Sequence, residues 1–269
     1  MENYNDYNLD PKQFSFLKCF RDNWQAIRDE FTHFNHSASS EELTFANDVL
    51  GPKSKTLKTK KKGKYSAFGI LFQGVFIENY IQLHQIQYPN YQSHEASERS
   101  LRLREKYFPK LSAAIVKVNS VNDDIIRNVY FGTYHPGLDI KLHVNNHPHM
   151  NRGYLGLIVP AGDVAMQICH DKLFWREGEF MVLDHSYPHC PHNYTDRDRT
   201  VLIVDFFKPD MSREQAIKFE TELVTKRMQD NPYSLGVFGK SDQAKREDFI
   251  QYGLAHQLEW DKALQVNRV

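Results

Sequence analysis

From Phe14 to Phe34 the large apolar residues Phe16, Phe20, Trp24, Ile27 and Phe31 recur at three- and four-residue intervals, the spacing of one helical face. Pro11 stands just ahead, where a helix start tolerates it. Glu41–Leu50 reads as a second, shorter helix, and Ser66–Val75 (SAFGILFQGV) as a strand. The polar segment Glu78–Tyr107 contains helical stretches, and Ala113–Val118 suits either helix or strand. From Val129 the pattern changes. Short apolar runs at Val129–Tyr134, Ile140–Val144, Tyr154–Val159, Val164–Cys169, Phe180–Leu183 and Val201–Phe207 alternate with turn signals such as Pro136-Gly137, Asn145-Asn146 and Ala161-Gly162-Asp163. That spacing predicts a β-sandwich or barrel. After Pro209 the helical period returns: Ser212-Arg-Glu-Gln215 has capping-box spacing and opens a helix to about Met228, stopped by Asn231-Pro232, with another over 242–258.

Composition narrows the function classes. The chain has 269 residues, 41% hydrophobic and 25% charged, with 34 basic and 34 acidic side chains and therefore no net formal charge. A dedicated nucleic-acid binder is basic overall, so no nucleic-acid partner is expected. No stretch approaches the ~20 apolar residues that span a bilayer, and the polar opening residues lack the apolar core of a secretory signal. Three cysteines, Cys19, Cys169 and Cys190, predict free thiols in a reducing compartment, hence a cytoplasmic protein. Lys53–Lys64 holds seven lysines and no acid, the pattern of a self-repelling exposed loop, and as a docking surface it would suit an anionic partner.

Histidine is the unusual residue. Of 13, eight lie between His135 and His192, and imidazole is the commonest side-chain metal ligand. His143 follows the alternating stretch Leu138–Leu142, and His189 follows the strand Phe180–Leu183. Two histidines on distant strands of a jelly roll can meet inside it, the arrangement of non-haem Fe(II) oxygenases, which usually add a carboxylate. Two residues after His143, where that carboxylate would stand, is Asn145. His147-Pro-His149 is a rival, cupin-like pair, although no acid occurs between His149 and Pro160. His135, His170, His185 and His192 read as hydrogen-bonded or exposed imidazoles. Arg199 enters the apolar run Val201–Phe207, a place from which a guanidinium can hold a carboxylate bidentately, unless it pairs with Asp196 or Asp198. Arg152 and Tyr154 alternate along one strand face and so can address one cavity.

These residues fall in a recognisable order: Pro136-Gly137, His143, Arg152, Leu155-Gly-Leu-Ile-Val-Pro160, Trp175-Arg-Glu-Gly178, Leu183-Asp-His-Ser-Tyr-Pro-His189, Asn193, Arg199 and Val201-Leu-Ile-Val-Asp205. In this order the chain resembles the aspartyl/asparaginyl β-hydroxylase family of 2-oxoglutarate-dependent oxygenases, most strongly over 130–209. The resemblance implies a mainly β fold with flanking helices, a double-stranded β-helix or jelly roll. It implies His143 and His189 as iron ligands, with water or Asn145 at the third position, Arg199 on the distal carboxylate of 2-oxoglutarate and Arg152 near its other carboxylate. Three sites depart from the family pattern, one of them Asp184-His185 in place of a usual pair of aspartates. Tyr154 stands where the family has a histidine that helps bind 2-oxoglutarate. A hydroxyl expected near Arg199 falls at Gly132, with Thr133 as the neighbouring candidate to supply it.

The resulting expectation is an Fe(II)/2-oxoglutarate-dependent dioxygenase that hydroxylates a peptidyl Asp or Asn, a lipid acyl chain or a small metabolite, consuming O₂ and releasing succinate and CO₂. The alternatives are a cupin-type metal enzyme built on His147 and His149, or a jelly roll that binds a ligand without turnover. Along the chain, 1–64 would be a helical region with the Lys-rich loop, 65–210 the jelly-roll core and 211–269 a helical extension.

Overall fold

The computed structural model describes residues 4–51, 65–140, 142–145 and 149–230. The Lys53–Lys64 run, His147 and the helix predicted over 242–258 lie outside the described residues. In chain order the strands are β1 (Asn8–Leu9), β2 (Tyr65–Phe72), β3 (Val75–Phe76), β4 (Ile126–Tyr134), β5 (Leu138–Asp139), β6 (Met150–Ile158), β7 (Val164–Ile168), β8 (Asp171–Phe174), β9 (Phe180–Leu183), β10 (His189–Asn193) and β11 (Arg199–Phe207). The helices are α1 (Lys18–Asp22), α2 (Trp24–Ser37), α3 (Ser40–Phe45), α4 (Ile77–Leu83), α5 (Ser93–Tyr107), α6 (Pro109–Val121) and α7 (Arg213–Asp230). None is long and apolar enough to cross a membrane, among the described residues.

Two antiparallel sheets face each other as a jelly roll, one of seven strands in the order β1-β9-β6-β11-β4-β2-β3 and one of four in the order β5-β10-β7-β8. Strand alternation divides the side chains between two cores. Tyr130, Tyr134, Tyr154, Val201 and Ile203 of the large sheet meet Leu138, Val164, Met166 and Ile168 of the small one. The intervening residues Phe131, Leu155, Leu202 and Val204 face the other way and pack with Ile27, Phe31 and Phe34 of α2 and Phe108, Leu111 and Ile115 around α6. Phe31 stacks on Phe131 with ring centroids 4.5 Å apart. The helices thus cover the large sheet's outer face and leave the space between the sheets for chemistry.

Several predicted elements change form. The helix predicted over 14–34 is broken at Asn23, whose side-chain amide donates to the Cys19 carbonyl (2.8 Å) and so satisfies the end of α1. The ambiguous segment 113–118 lies within α6, which Pro109 opens. Of the strand predicted at 140–144 the described residues keep one isolated bridge, His143 to His189, and the short β5 lies just ahead of it. Conversely β10 was not predicted, because His189-Cys-Pro-His-Asn193 has no apolar alternation; it pairs with β7 from His189↔Ile168 to Asn193↔Val164. Gly156 on β6 matters to the site. A Cβ there would sit 2.1 Å from the Arg176 carbonyl oxygen, so only glycine lets that backbone approach and bring the adjacent Trp175 inward.

Candidate active site

His143 and His189 face each other through a two-bond bridge, His143 N–H to the His189 carbonyl (3.0 Å) and His189 N–H to the His143 carbonyl (2.8 Å). Their ring centroids lie 4.3 Å apart. His189 Nδ1 is 2.8 Å from the Tyr187 carbonyl. A carbonyl only accepts, so Nδ1 carries the proton and Nε2 presents its lone pair. Burial, then the nearby His143 and Arg152, hold His189 well below the ordinary imidazole pKa. It is therefore a neutral ring in the form a metal requires.

His185, read from sequence as a bystander, comes into the same cluster, its ring centroid 4.1 Å from that of His189. The signal for this was the Asp184-x-Ser186 turn. Asp184 Oδ1 accepts from Ser186 N–H (2.9 Å) and Oγ–H (2.6 Å), and the curl returns His185 toward His189. Both ring nitrogens of His185 are engaged. Asn145 Nδ2–H donates to Nδ1 (2.9 Å), and in a neutral ring Nε2–H then donates to the Tyr154 hydroxyl (2.7 Å). Among the described residues no group of three or more His, Cys, Asp or Glu is placed to hold a metal.

The two arginines have different surroundings. Arg152 gives Nε–H to Asp205 Oδ1 (2.6 Å) and Nη2–H to Oδ2 (2.9 Å), and Asp205 also accepts from Asn128 Nδ2 (3.1 Å). Burial alone would lower the Arg152 pKa, but Asp205 and the neighbouring phenols hold it well above its ordinary value. Arg199 is 0% exposed. Its guanidinium carbon lies 3.5 Å from the Tyr134 ring centroid and 3.7 Å from that of Trp175. Nε, Nη1 and Nη2 have no hydrogen-bond partner among the described residues, and burial pulls the group below its usual pKa. Asp198, one candidate partner, is taken instead by His135 Nδ1–H (3.0 Å), while His135 Nε2 accepts from Ser66 Oγ–H (2.7 Å).

Tyr154 faces the space between the sheets, as its alternation with Arg152 predicts. Its oxygen accepts from His185, which leaves its own O–H to be donated; burial holds the phenol well above its ordinary pKa and so protonated. Thr133 requires a correction. Tyr134, not Thr133, is the register partner of Arg199; Thr133 pairs with Thr200 and their hydroxyls bond at 2.9 Å on the opposite, helix-covered face. It cannot address a ligand at Arg199. The rival His149 lies away from the histidine cluster. Its ring packs near Phe207 (6.3 Å) and Phe219 (5.7 Å), and its carbonyl accepts from Lys208 N–H (3.1 Å).

A family model described as aspartyl/asparaginyl beta-hydroxylase matches residues 21–209. The chain is 29% identical over 163 residues to the ornithine lipid ester-linked acyl 2-hydroxylase of Rhizobium tropici, covering 58% of this chain and 48% of that protein. It is 23% identical over 199 residues to the aspartyl/asparaginyl beta-hydroxylase of Mus musculus, covering 74% of this chain and 22% of that protein. The chain thus spans about half or less of the length of these relatives. A solved protein with a double-stranded beta-helix domain from Klebsiella pneumoniae is similar at 18% identity and a TM-score of 0.25, over 31% of this chain and 70% of that one.

Proposed function

Because the chain belongs to the aspartyl/asparaginyl β-hydroxylase family, we propose that it is an Fe(II)- and 2-oxoglutarate-dependent dioxygenase. The observation that carries this reading is the Arg199 guanidinium, fully buried, without an acceptor, in the same inter-sheet space as two facing imidazoles. A buried cation is costly unless it is paired, and a dicarboxylate supplies the missing acceptor.

His143 and His189 would hold the metal. The Tyr187 carbonyl fixes the His189 tautomer, the orienting contact that metal-binding histidines generally need. Iron with 2-oxoglutarate and O₂ supplies the C–H hydroxylation, with succinate and CO₂ as coproducts. The protein's part is binding and orientation. Arg199 grips the distal carboxylate as a bidentate fork. Tyr134 and Trp175, whose ring planes stand at 87° to each other with the guanidinium in the angle between them, hold the fork in place. Arg152, neutralised by Asp205, keeps the adjoining wall in register and is not itself a free carboxylate receptor. The chain of donations from Asn145 through His185 to Tyr154 points one phenolic O–H at an acceptor in the same space. The substrate falls among a peptidyl Asp or Asn, a lipid acyl chain and a small metabolite, and the names of the two relatives span the first two of these.

The test is metal content and O₂-dependent succinate formation from 2-oxoglutarate, compared across wild type, His189→Ala and Arg199→Met. His189→Ala should lose iron. Arg199→Met should keep iron and lose 2-oxoglutarate affinity by about 2–5 kcal/mol, tens- to thousands-fold. Unchanged metal content in the first, or unchanged affinity in the second, would overturn the assignment.

A further inference from the structure

We propose that Tyr65 is a second ligand-binding residue of the anion site, its hydroxyl donating to the carboxylate that Arg199 grips. The proposal rests on the reading of Arg199 as a carboxylate receptor, and it identifies where the hydroxyl comes from that neither Gly132 nor Thr133 can supply.

Tyr65 opens β2, and its register partner on β4 is Tyr134, which in turn pairs with Arg199 on β11. The three residues form one cross-strand row. Alternation along β2 sends Ser66 outward to His135 and leaves Tyr65 and Ala67 facing between the sheets. The Tyr65 ring packs edge-on against Tyr134, centroids 5.5 Å apart. It then lies over Gly132. A Cβ built at Gly132 would be 2.9 Å from Ile203 Cδ1, 3.2 Å from the Tyr65 hydroxyl oxygen and 3.3 Å from its Cε2. The phenol and the Ile203 side chain therefore share the space that a side chain at 132 would take.

The Tyr65 hydroxyl sits among charged groups. The charges that act on it are Arg152, Arg199 and Asp205, and burial pushes its pKa up, so it stays protonated and able to donate. Around Arg199 the groups buried without a partner are donors, the guanidinium nitrogens and the Trp175 indole N–H, and the Tyr65 phenol can donate to the same ligand. A pocket with surplus donors and no surplus acceptor selects a ligand rich in acceptors and negatively charged.

The experiment is calorimetric titration of 2-oxoglutarate into the full chain loaded with Mn(II), a redox-inert stand-in for iron, in wild type, Tyr65→Phe, Gly132→Ala and Arg199→Met. A hydrogen bond to a charged group predicts a loss of roughly ten- to a hundred-fold in affinity for Tyr65→Phe. Metal content should be unchanged, and with iron the KM for 2-oxoglutarate should rise while kcat holds. Gly132→Ala keeps the phenol but presses a methyl group against it and against Ile203, and should weaken binding in the same direction. Wild-type affinity in Tyr65→Phe, with Arg199→Met still defective, overturns the role of Tyr65 and leaves Arg199 standing. Failure of wild type to bind 2-oxoglutarate, or equal binding by Arg199→Met, overturns the carboxylate site itself.

Discussion

Arg152 on β6 and Arg199 on β11 belong to hydrogen-bonded neighbouring strands, face the same interior and are both largely buried. One is finished by the fold and the other is not. Arg152 meets the two oxygens of Asp205, its own register partner across the sheet. Arg199 has no such carboxylate and lies in the angle between the rings of Tyr134 and Trp175. Stacking on an aromatic face attracts a guanidinium but satisfies none of its N–H groups. The difference separates framework from function. A buried charge with a fixed counterion holds the sheet together, whereas one without is completed only when something binds.

The contrast breaks first at Asp205. Asp205→Ala leaves Arg152 buried and uncompensated, which should destabilise the protein by about 3–5 kcal/mol, read from the urea midpoint. A loss under about 1 kcal/mol would mean that Arg152 is no better satisfied than Arg199. The mirror experiment has the opposite sign. Arg199→Met removes a charge that the ligand-free fold leaves unpaired, so ligand-free stability should hold or rise by about 1–3 kcal/mol. A clear decrease would show that the stacked rings alone already satisfy the guanidinium. The smallest effect concerns His189, on which the Arg152 charge also acts. Its folded pKa lies well below its unfolded value, so the unfolded chain takes up the proton first. The stability His189 confers is fully present above about pH 6.5 and is lost as pH falls below it, with a slope of at most about 1.4 kcal/mol per pH unit. In metal-free protein His189→Gln should flatten that part of the pH profile; an identical slope in both proteins would place the acid sensitivity elsewhere.

Much of this was legible from the residues. The alternation of β4, β6 and β11 predicts which of their side chains share a face, and the order of motifs singles out His143, His189 and Arg199. What escaped depends on register and on partners far away in sequence. Thr133 and Tyr134 are equal candidates until the pairing Tyr134↔Arg199 fixes the parity. The Arg152–Asp205 pair joins residues 53 positions apart, and nothing local to either announces it. Tyr65 reads as the residue before an apolar run, and its relation to Gly132 exists only once β2 lies beside β4. His185 was obscured for a different reason. Its imidazole reads as merely hydrogen-bonded or exposed, and the Asp184 turn that carries it onto His189 shows only in the folded chain. The segment 113–118 is apolar on too many sides for its period to choose a helix, and packing on the outer face of the sheet decides it.

On the reading of Arg199 as an anion receptor, the protein's persistence is tied to its ligand supply. An acceptor-bearing anion would seat itself on the assembled row of β2, β4 and β11 and find no such site on an unfolded chain. At a hundred times its dissociation constant, a ligand of that kind adds about 2.7 kcal/mol to the folded state. Shifts of that size change how much of a protein survives cellular proteolysis. On the same reading, scarcity of the anion would lower the population of intact molecules along with their occupancy, and abundance itself would become a record of the metabolite.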